Sequence, residues 1–270
     1  MVRTRGDLPP AAAPTTHQAQ LFGLFRVVRD GSPLGDPAWG RASARTLLKW
    51  FLLNPGQRFR PTELSEVLWP GCTRSPANRL HVTQHALRHA LEPELPSRRP
   101  STFIRSDADG RSWFDPGDRW WTDVDEVARL AKAARAAQDG GDTAAAITCY
   151  ERMLAHYSRG FLPEDLYEDA FTPFRTAHDL AHSETLRRLL RLYRGTGQRY
   201  EALNCAMGIL DRDPYSEEAV VSVVEVQVEQ GCVTAAISEL ERFVRTVERD
   251  LGTPPSRELL TLQERVRHAR

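Results

Sequence analysis

The sequence predicts an α-rich α+β chain, with a mixed first part and an all-helical second part. In the first part, short apolar runs bounded by Gly, Pro and Asp surround three segments of helical periodicity. From Asp123 onwards nearly every segment is helical in pattern. Residues 1–117 carry 16 Lys and Arg against 10 Asp and Glu, whereas residues 118–270 carry 20 against 26. This change from a balance of +6 to one of −6 predicts that only the first part meets a polyanion.

Length and composition exclude several classes of protein. The chain has 270 residues, of which 41% are hydrophobic and 27% charged, a globular balance. Its longest dense apolar run, 47–53, is far shorter than the roughly 18 residues that span a bilayer. No apolar core follows Arg3 and Arg5, so no signal peptide is expected. The four cysteines lie far apart without a CxxC pair, which predicts reduced thiols in a cytoplasmic protein with no membrane contact.

Turn and helix-boundary residues divide the first part into short elements. The Asp30-Gly31 pair predicts a tight hairpin turn, because glycine accepts positive φ without steric cost. Ser43 is expected to cap the first helix, and Pro70-Gly71 to end the second. The order hairpin, three helices, hairpin is the layout of a winged helix-turn-helix with an N-terminal sheet. The predicted elements are strands at 21–28 and 33–34, helices at 43–54, 61–69 and 75–91, and strands at 102–105 and 111–114.

The third of these helices has the composition of a DNA-recognition helix. Leu80, Leu87 and Leu91 fall on one side of it, which is therefore expected to be buried. No acidic residue occurs between positions 78 and 91, as expected for a helix that lies between rows of phosphates. Asn and Arg can hydrogen-bond base edges, and Val or Ala can contact a thymine methyl group. The residues of this helix expected to contact DNA are Asn78, Arg79, His81, Val82, His85, Ala86, Arg88 and His89.

Other cations of the first part are expected to reach the DNA backbone. Arg105 and Arg111 flank the Asp109-Gly110 turn, where the wing of such a domain contacts phosphates or a minor groove. Arg45 and Lys49 of the first helix point away from its apolar face, and Arg41 lies just before the expected cap at Ser43. All three could reach the DNA backbone. A role in solubility explains these three cations equally well, so both interpretations stay open.

The second part contains three segments with a common period. Gly197 aligns with Gly231 and Ala202 with Ala236, each pair 34 residues apart, which is the period of the tetratricopeptide repeat. The same Gly–Ala pattern occurs 56 residues earlier, or 34 plus an insertion of 22. Small alanines allow paired helices to approach closely. The sequence therefore predicts an all-α, tetratricopeptide-like domain; its aligned segments are 142–150, 198–206 and 232–240.

These observations divide the chain into three regions. Residues 1–19, with three prolines and few large apolar groups, are expected to form a flexible arm. Residues 20–117 are expected to form the DNA-binding domain, and residues 118–270 the helical domain. The last repeat is expected to end in one long helix to Arg270, which packs on a partner.

Enzymatic and metal-binding functions find little support. His81, His85 and His89 have helical i, i+4, i+8 spacing, but no Cys or Asp completes a zinc site near them. The chain has no GxSxG, no HExxH and no Gly-rich phosphate loop, so neither catalytic residues nor a cofactor are predicted. The acidic pairs Glu164-Asp165 and Glu168-Asp169 are expected to be solvated.

Two alternatives to a DNA-binding function remain open. Tetratricopeptide helices form concave grooves for proteins or peptides, so the chain could be an interaction scaffold with accessory DNA binding. A small-molecule sensor is the other alternative, with a pocket lined by aromatic side chains that are more readily explained as core. These aromatic residues are Tyr150, Tyr157, Phe161, Phe171 and Phe174.

The chain resembles the Streptomyces antibiotic regulatory proteins (SARPs) in both parts. Individually the matching motifs are loose, but their order and spacing together are specific. In the first part, the segments that resemble the DNA-binding domain are 21–27, 44–49, 54–56, 63–70, 78–80 and 86–93. In the second part, the segments that resemble the adjoining bacterial transcriptional activator domain are 122–125, 157–163, 213–215 and 250–255.

This resemblance implies a transcriptional activator of the small SARP form, which ends after the helical domain. Members of the family bind direct repeats near promoters as dimers and recruit RNA polymerase holoenzyme. Many of them activate antibiotic or other secondary-metabolite gene clusters. The resemblance therefore implies double-stranded promoter DNA, RNA polymerase and a second copy of the chain as partners.

Overall fold

The computed structural model describes residues 16–72, 76–96 and 99–268, without the side chains of Pro76 and Ala77. These residues form two compact units. The first unit contains the described residues up to Val127 together with Arg159–Pro173. The second unit contains Ala128–Ser158 and the described residues from Phe174 onwards. The boundary expected after residue 117 thus lies inside the first unit, which also takes a short segment from the helical part.

The first unit has the predicted alternation of hairpins and helices. Helix α5 (Asp123–Asp139) starts in it, directly after the last strand. Two 3₁₀ turns, Pro163–Asp165 and Asp169–Phe171, belong to the same unit. Its other elements are β1 (His17–Gln20), β2 (Arg26–Arg29), β3 (Ser32–Pro33), α1 (Asp36–Trp39), α2 (Ala42–Leu53), α3 (Pro61–Leu68), α4 (Pro76–Leu91), β4 (Ile104–Ser106), β5 (Ser112–Phe114) and β6 (Trp120–Thr122).

Four strands form one sheet in the order β3-β2-β1-β6. Strand β1 is antiparallel to β2 and parallel to β6, which the sequence did not predict. The single strand expected over 21–28 is wrong, because the chain turns between β1 and β2, where Gly23 has a φ of 82°. The expected arm is also wrong from His17 onwards, since β1 begins there; residues 1–15 lie outside the described residues. The Asp30-Gly31 turn is confirmed, with φ of 48° and 79°.

The helices of the first unit pack around α4. Buried side chains of α2, among them Leu47, Leu48 and Phe51, form the centre of this core together with Leu64 of α3. The expected cap at Ser43 is wrong: Arg41 occupies the N-cap position, without a side-chain hydrogen bond. The Ser43 hydroxyl instead lies 3.0 Å from that of Thr83 on α4. Strands β4 and β5 form the second predicted hairpin, and Phe59 extends it through two backbone hydrogen bonds with Ser112.

The second unit consists of helices in consecutive pairs. At the three aligned positions, Gly141, Gly197 and Gly231 have φ of 77°, 74° and 75° and each precedes the second helix of a pair. The alanines five residues later, at positions 146, 202 and 236, are all buried. The helices are α5 (Asp123–Asp139, from Ala128 in this unit), α6 (Thr143–Tyr157), α7 (Thr172–Thr196, from Phe174 in this unit), α8 (Arg199–Leu210), α9 (Glu217–Glu229), α10 (Val233–Leu251) and α11 (Arg257–His268).

The C-terminal end of the chain differs from expectation. Instead of one long helix to Arg270, α10 ends at Gly252 in a left-handed conformation with a φ of 64°. Helix α11 then follows and buries Leu259, Leu262 and Val266 against α9 and α10. The apolar side of α11, which was expected to pack on a partner, therefore packs within its own unit. No helix in the described part of the chain combines the length and the apolar character that a bilayer span needs.

Candidate nucleic-acid interface

Helix α4 has one buried and one exposed side, as its sequence predicted. Leu80, Thr83, Leu87 and Leu91 are each at most 4% exposed. On the other side, Val82 is 48% exposed, which is unusual for a large apolar side chain and leaves it available for contact. The other exposed side chains of the helix are Asn78, Arg79, His81, His85 and His89, whereas Ala86 and Arg88 are half-buried.

Hydrogen bonds from two elements hold the middle of α4. Thr83, fully buried, meets Ser43 of α2, and the Gln84 amide donates to the Ser112 hydroxyl of β5 at 3.0 Å. Ala86, on the same stretch, packs close to Gly40. A Cβ added at Gly40 would lie 4.0 Å from the Ala86 methyl group. These contacts fix the rotation of the helix about its axis and therefore which side chains face outwards.

The carbonyl end of α4 is held by the sheet. The Arg29 guanidinium donates to the Ala90 carbonyl at 2.6 Å, and His17 Nε2 lies 3.3 Å from the Leu91 carbonyl. Burial lowers the pKa of His17 below its usual value, although the bond to Leu91 opposes this shift. The His17 ring also stacks on Trp120 at 4.7 Å between ring centroids. Strand β1, most of which the sequence assigned to the arm, thus helps to position α4.

Two of the expected DNA contacts on α4 also have partners within the chain. The Arg79 guanidinium lies 4.3 Å from the centre of the Trp69 ring, a cation–π contact that leaves the residue exposed. Arg88 donates to the Arg99 carbonyl at 2.7 Å and so braces the segment that follows α4. A substitution at Arg88 therefore changes local structure as well as charge.

The β4–β5 hairpin carries the two expected wing arginines in different environments. Arg105 is exposed and lies 3.7 Å from Asp115, while Arg111 is half-buried. Asp107 accepts a 2.9 Å hydrogen bond from the Arg111 backbone N–H, so this carboxylate braces the turn. Arg58 was not among the residues expected from the sequence to contact DNA. It is exposed at the hairpin; its guanidinium lies 4.4 Å from the centre of the Trp113 ring and 3.8 Å from the Asp107 carboxylate. Its place there follows from the pairing of Phe59 with β5, which no local pattern indicates.

The cations of α2 are largely neutralised, which corrects two expectations. Lys49 is 4% exposed, and its ammonium group lies 2.6 Å from Asp165 and 3.3 Å from Glu164. Lys49 is therefore not available to a DNA backbone, and the pair Glu164-Asp165 is not a freely solvated face. Arg45 pairs with Glu164 at 3.1 Å and more distantly with Asp36. Arg41 remains exposed, and no ion pair is found for it among the described residues.

The motif at 122–125 has a structural role in the first unit. Thr122 accepts a 2.9 Å hydrogen bond from the Asp125 backbone N–H and donates to the Asp125 carboxylate, which caps the start of α5. Asp123 is fully buried and accepts hydrogen bonds from the Leu21 and Phe22 backbone N–H groups at 2.8 to 3.0 Å. The motif thereby ties α5 to the end of β1.

The other candidate sites take ordinary positions. Four of the five aromatic residues considered for a sensor pocket are buried, and Phe174 is half-buried, as expected for core side chains. His81, His85 and His89 are exposed along one side of α4. Across residues 16–72, 76–96 and 99–268, no three His, Cys, Asp or Glu side chains are grouped as metal ligands.

A winged helix-turn-helix and a helical-repeat unit in one chain define a class of transcription regulator. Residues 122–267 match the family described as the bacterial transcriptional activator domain. A structure of Mycobacterium tuberculosis EmbR in complex with a low-affinity phosphopeptide is similar in fold, with a TM-score of 0.76 and 18% sequence identity. The match covers 94% of this chain but only 65% of the EmbR chain, which is thus substantially longer. A comparison with curated proteins found no match.

The family match includes more than half of the sequence. The chain therefore belongs to the bacterial transcriptional activator domain family and is a transcriptional regulator of the SARP type. This assignment agrees with the resemblance carried by the motifs at 122–125 and 157–163. The predicted fold class is confirmed as well, with a small N-terminal sheet followed by a helical domain.

Proposed function

We propose that the chain is a sequence-specific DNA-binding transcriptional activator that inserts α4 into the major groove. The exposed side of α4 carries this proposal, because it combines base-reading and apolar side chains with a complete lack of carboxylates. The major groove of B-DNA admits one α-helix, and its base edges offer distinct hydrogen-bond patterns and thymine methyl groups. Asn78 and His85 are assigned to base edges, and Val82 to a thymine methyl group.

Phosphate contacts are assigned to cations around α4. Arg41 precedes α2, and Arg105 and Arg58 lie at the hairpin that forms the wing; all three are exposed. Such contacts supply affinity on any sequence and make it depend on salt. The half-buried Arg111 and the paired Arg45 are assigned weaker roles, and Lys49 none.

The second unit is assigned to protein contacts. Its repeating glycines and buried alanines support a tetratricopeptide-type arrangement. By the family resemblance, it contacts RNA polymerase holoenzyme and a second protomer at promoters of a secondary-metabolite gene cluster. Protomers on direct repeats are related head to tail and not by a two-fold axis. A repeat-spacing series should therefore show cooperative binding only for direct repeats in one orientation.

A DNA titration tests the proposal. The full chain is titrated against its own upstream promoter duplex and a scrambled duplex, at about 50 mM and about 200 mM salt. We expect tighter binding to the promoter and an affinity that falls steeply with salt. Equal, weak binding to both duplexes would contradict sequence-specific recognition and favour the interaction-scaffold alternative.

Variants of single histidines make the test specific to α4. We expect His85→Ala to reduce discrimination between promoter and scrambled DNA. His268→Ala is the matched control, because His268 is exposed on α11 in the second unit. An equal loss on both duplexes for His85→Ala would remove His85 from base reading and leave it a backbone contact.

A further inference from the structure

The second unit contains a cavity of about 540 Å³ that the proposed DNA-binding function does not use. Its volume is within the range of about 300 to 1,000 Å³ that is common for small-molecule sites. Its walls come from the end of α7, the start of α8, α9 and α11. The apolar lining residues are Ala202, Val224, Val226, Val228, Leu262 and Val266.

Charged side chains surround this apolar lining. Arg194 pairs with Glu225 at 2.9 Å, and Arg199 pairs with Glu229 at 2.6 Å. The cavity has one more arginine, Arg265, which is exposed and has no carboxylate at ion-pair distance within the described ranges. Arg194 and Arg199 are thus neutralised by glutamates of the same cavity, and the positive charge of Arg265 remains for a ligand.

Arg265 lies where the cavity meets a second one of about 550 Å³. Leu262 and Glu225 line both cavities as well, so the two form a continuous groove along α9 and α11. Leu262 and Val266 are buried on α11 and hold that helix in place beside Arg265. The guanidinium is therefore carried by a packed helix next to apolar surface. This residual positive charge contrasts with the acidic balance of −6 over residues 118–270.

We propose that this cavity binds a small organic anion with an apolar body, such as an aryl or acyl carboxylate. The apolar body lies against Val228 and its apolar neighbours, and the acidic group accepts hydrogen bonds from Arg265. Guanidinium groups bind planar carboxylates through two parallel hydrogen bonds, which selects an anion over a neutral molecule of the same shape. The proposal is independent of DNA binding by the first unit, and either can fail alone.

Two fluorescent probes of nearly the same shape separate charge from apolar contact. 8-Anilinonaphthalene-1-sulfonate is an anion, and N-phenyl-1-naphthylamine is its neutral counterpart without the sulfonate. Both are titrated into the full chain, with the stoichiometry measured and folding checked by circular dichroism. We expect one saturable site for the anionic probe, with octanoate as a competitor.

Substitutions at two arginines of α11 test whether Arg265 binds the acidic group of the anionic probe. Arg265→Gln is expected to weaken binding of the anionic probe by about tenfold and that of the neutral probe by less than about twofold. Arg267→Gln makes the same charge change on the same helix, but Arg267 pairs with Glu241 and does not line the cavity. This control should change neither affinity by more than about twofold.

A cavity-filling variant tests the apolar part separately. Val228→Trp should weaken both probes, since it occupies the space proposed for the apolar body. If that variant does not fold, Arg265→Gln alone decides. The proposal is overturned if Arg265→Gln binds the anionic probe as tightly as the unmodified chain, loses both probes equally, or if the anionic probe does not saturate one site.

Discussion

Helices α2 and α4 both carry positive side chains in the basic part of the sequence, but among the described residues only those of α2 are in ion pairs with carboxylates. On α2, Lys49 and Arg45 are paired with Glu164 and Asp165 from a segment more than 100 residues away. On α4, no carboxylate occurs along the exposed side. Arg79 contacts the Trp69 ring and the Cys72 sulfur, and Arg88 donates to the Arg99 carbonyl. A positive residue in sequence is therefore a weaker candidate DNA contact when folding brings a carboxylate into a short ion pair with it. The longer pairs of Arg58 with Asp107 at 3.8 Å and of Arg105 with Asp115 at 3.7 Å leave both arginines exposed.

The largest expected effect concerns the buried cation of α2. Lys49→Met should lower the free energy of unfolding by about 2–4 kcal/mol, because it removes the buried ammonium group that lies 2.6 Å from the largely buried Asp165 carboxylate. Urea unfolding followed by circular dichroism measures this. The control is Lys132→Met, because Lys132 is exposed and is the only other lysine of the sequence. This change should lower the free energy of unfolding by less than about 0.5 kcal/mol. If the two variants are equally stable, the ion pair of Lys49 with Asp165 does not stabilise the fold.

The next effect tests whether the exposed side of α4 reads sequence. Asn78→Ala should reduce discrimination between promoter and scrambled DNA by about 1–3 kcal/mol, through loss of paired hydrogen bonds to a base. Competition titrations measure this difference. Asn204→Ala changes an exposed asparagine of α8 and should leave discrimination unchanged. Unchanged discrimination in Asn78→Ala would reassign this residue to the DNA backbone.

Histidines show a similar contrast between exposed positions and a half-buried one. Those at 81, 85 and 89 are exposed on α4, whereas in the second unit burial lowers the pKa of His182 to about 4 from an ordinary 6.5. The nearby charge of Arg212 lowers this pKa further, whereas that of Asp179 raises it. The Tyr157 ring stacks on the His182 ring at 5.3 Å between ring centroids. Burial also raises the pKa of Tyr157 to about 12.

The lowered pKa of His182 predicts that the second unit loses stability in acid. Below its ordinary pKa the histidine gains a proton in the unfolded chain but stays neutral in the folded one, so stability falls as the pH drops from about 6.5 towards about 4. Because the site is only partly buried, we expect about 1 kcal/mol between pH ~7 and pH ~5. His182→Gln should reduce this loss in urea unfolding, and the exposed-site control His268→Gln should not. Equal pH dependence in both variants would contradict the assignment to His182.

The smallest effect compares two arginines of the α2 region on DNA. Arg41→Ala should weaken binding by about two- to fivefold on any duplex and reduce the slope of log affinity against log salt by about 1. Arg45→Ala should change affinity by less than about twofold, since Glu164 already neutralises it. A larger loss for Arg45 than for Arg41 would reverse the proposed roles of these residues.

Local sequence predicted those features that depend on short-range chemistry. The Asp30-Gly31 turn, helices α2, α3 and α4 and the buried leucines of α4 follow from φ preference and periodicity, whereas the short helix α1 was not predicted. Sequence reasoning did not find strand β6, because its pairing with β1 joins residues about 100 positions apart. It placed Ser43 at a helix cap, since a hydroxyl beside a helix start satisfies that pattern whether or not Thr83 lies opposite.

By itself, the sequence determined the class of fold, the acid-free side of α4 and the repeat spacing of the helical part. These are properties of neighbouring residues, set by side-chain shape, charge and helical period. Only the tertiary structure decided that Lys49 is buried, that β1 holds the end of α4, and that residues 159–173 belong to the first unit. Each of these depends on a carboxylate, carbonyl or strand edge brought close by folding, and distance along the chain carries no information about such partners.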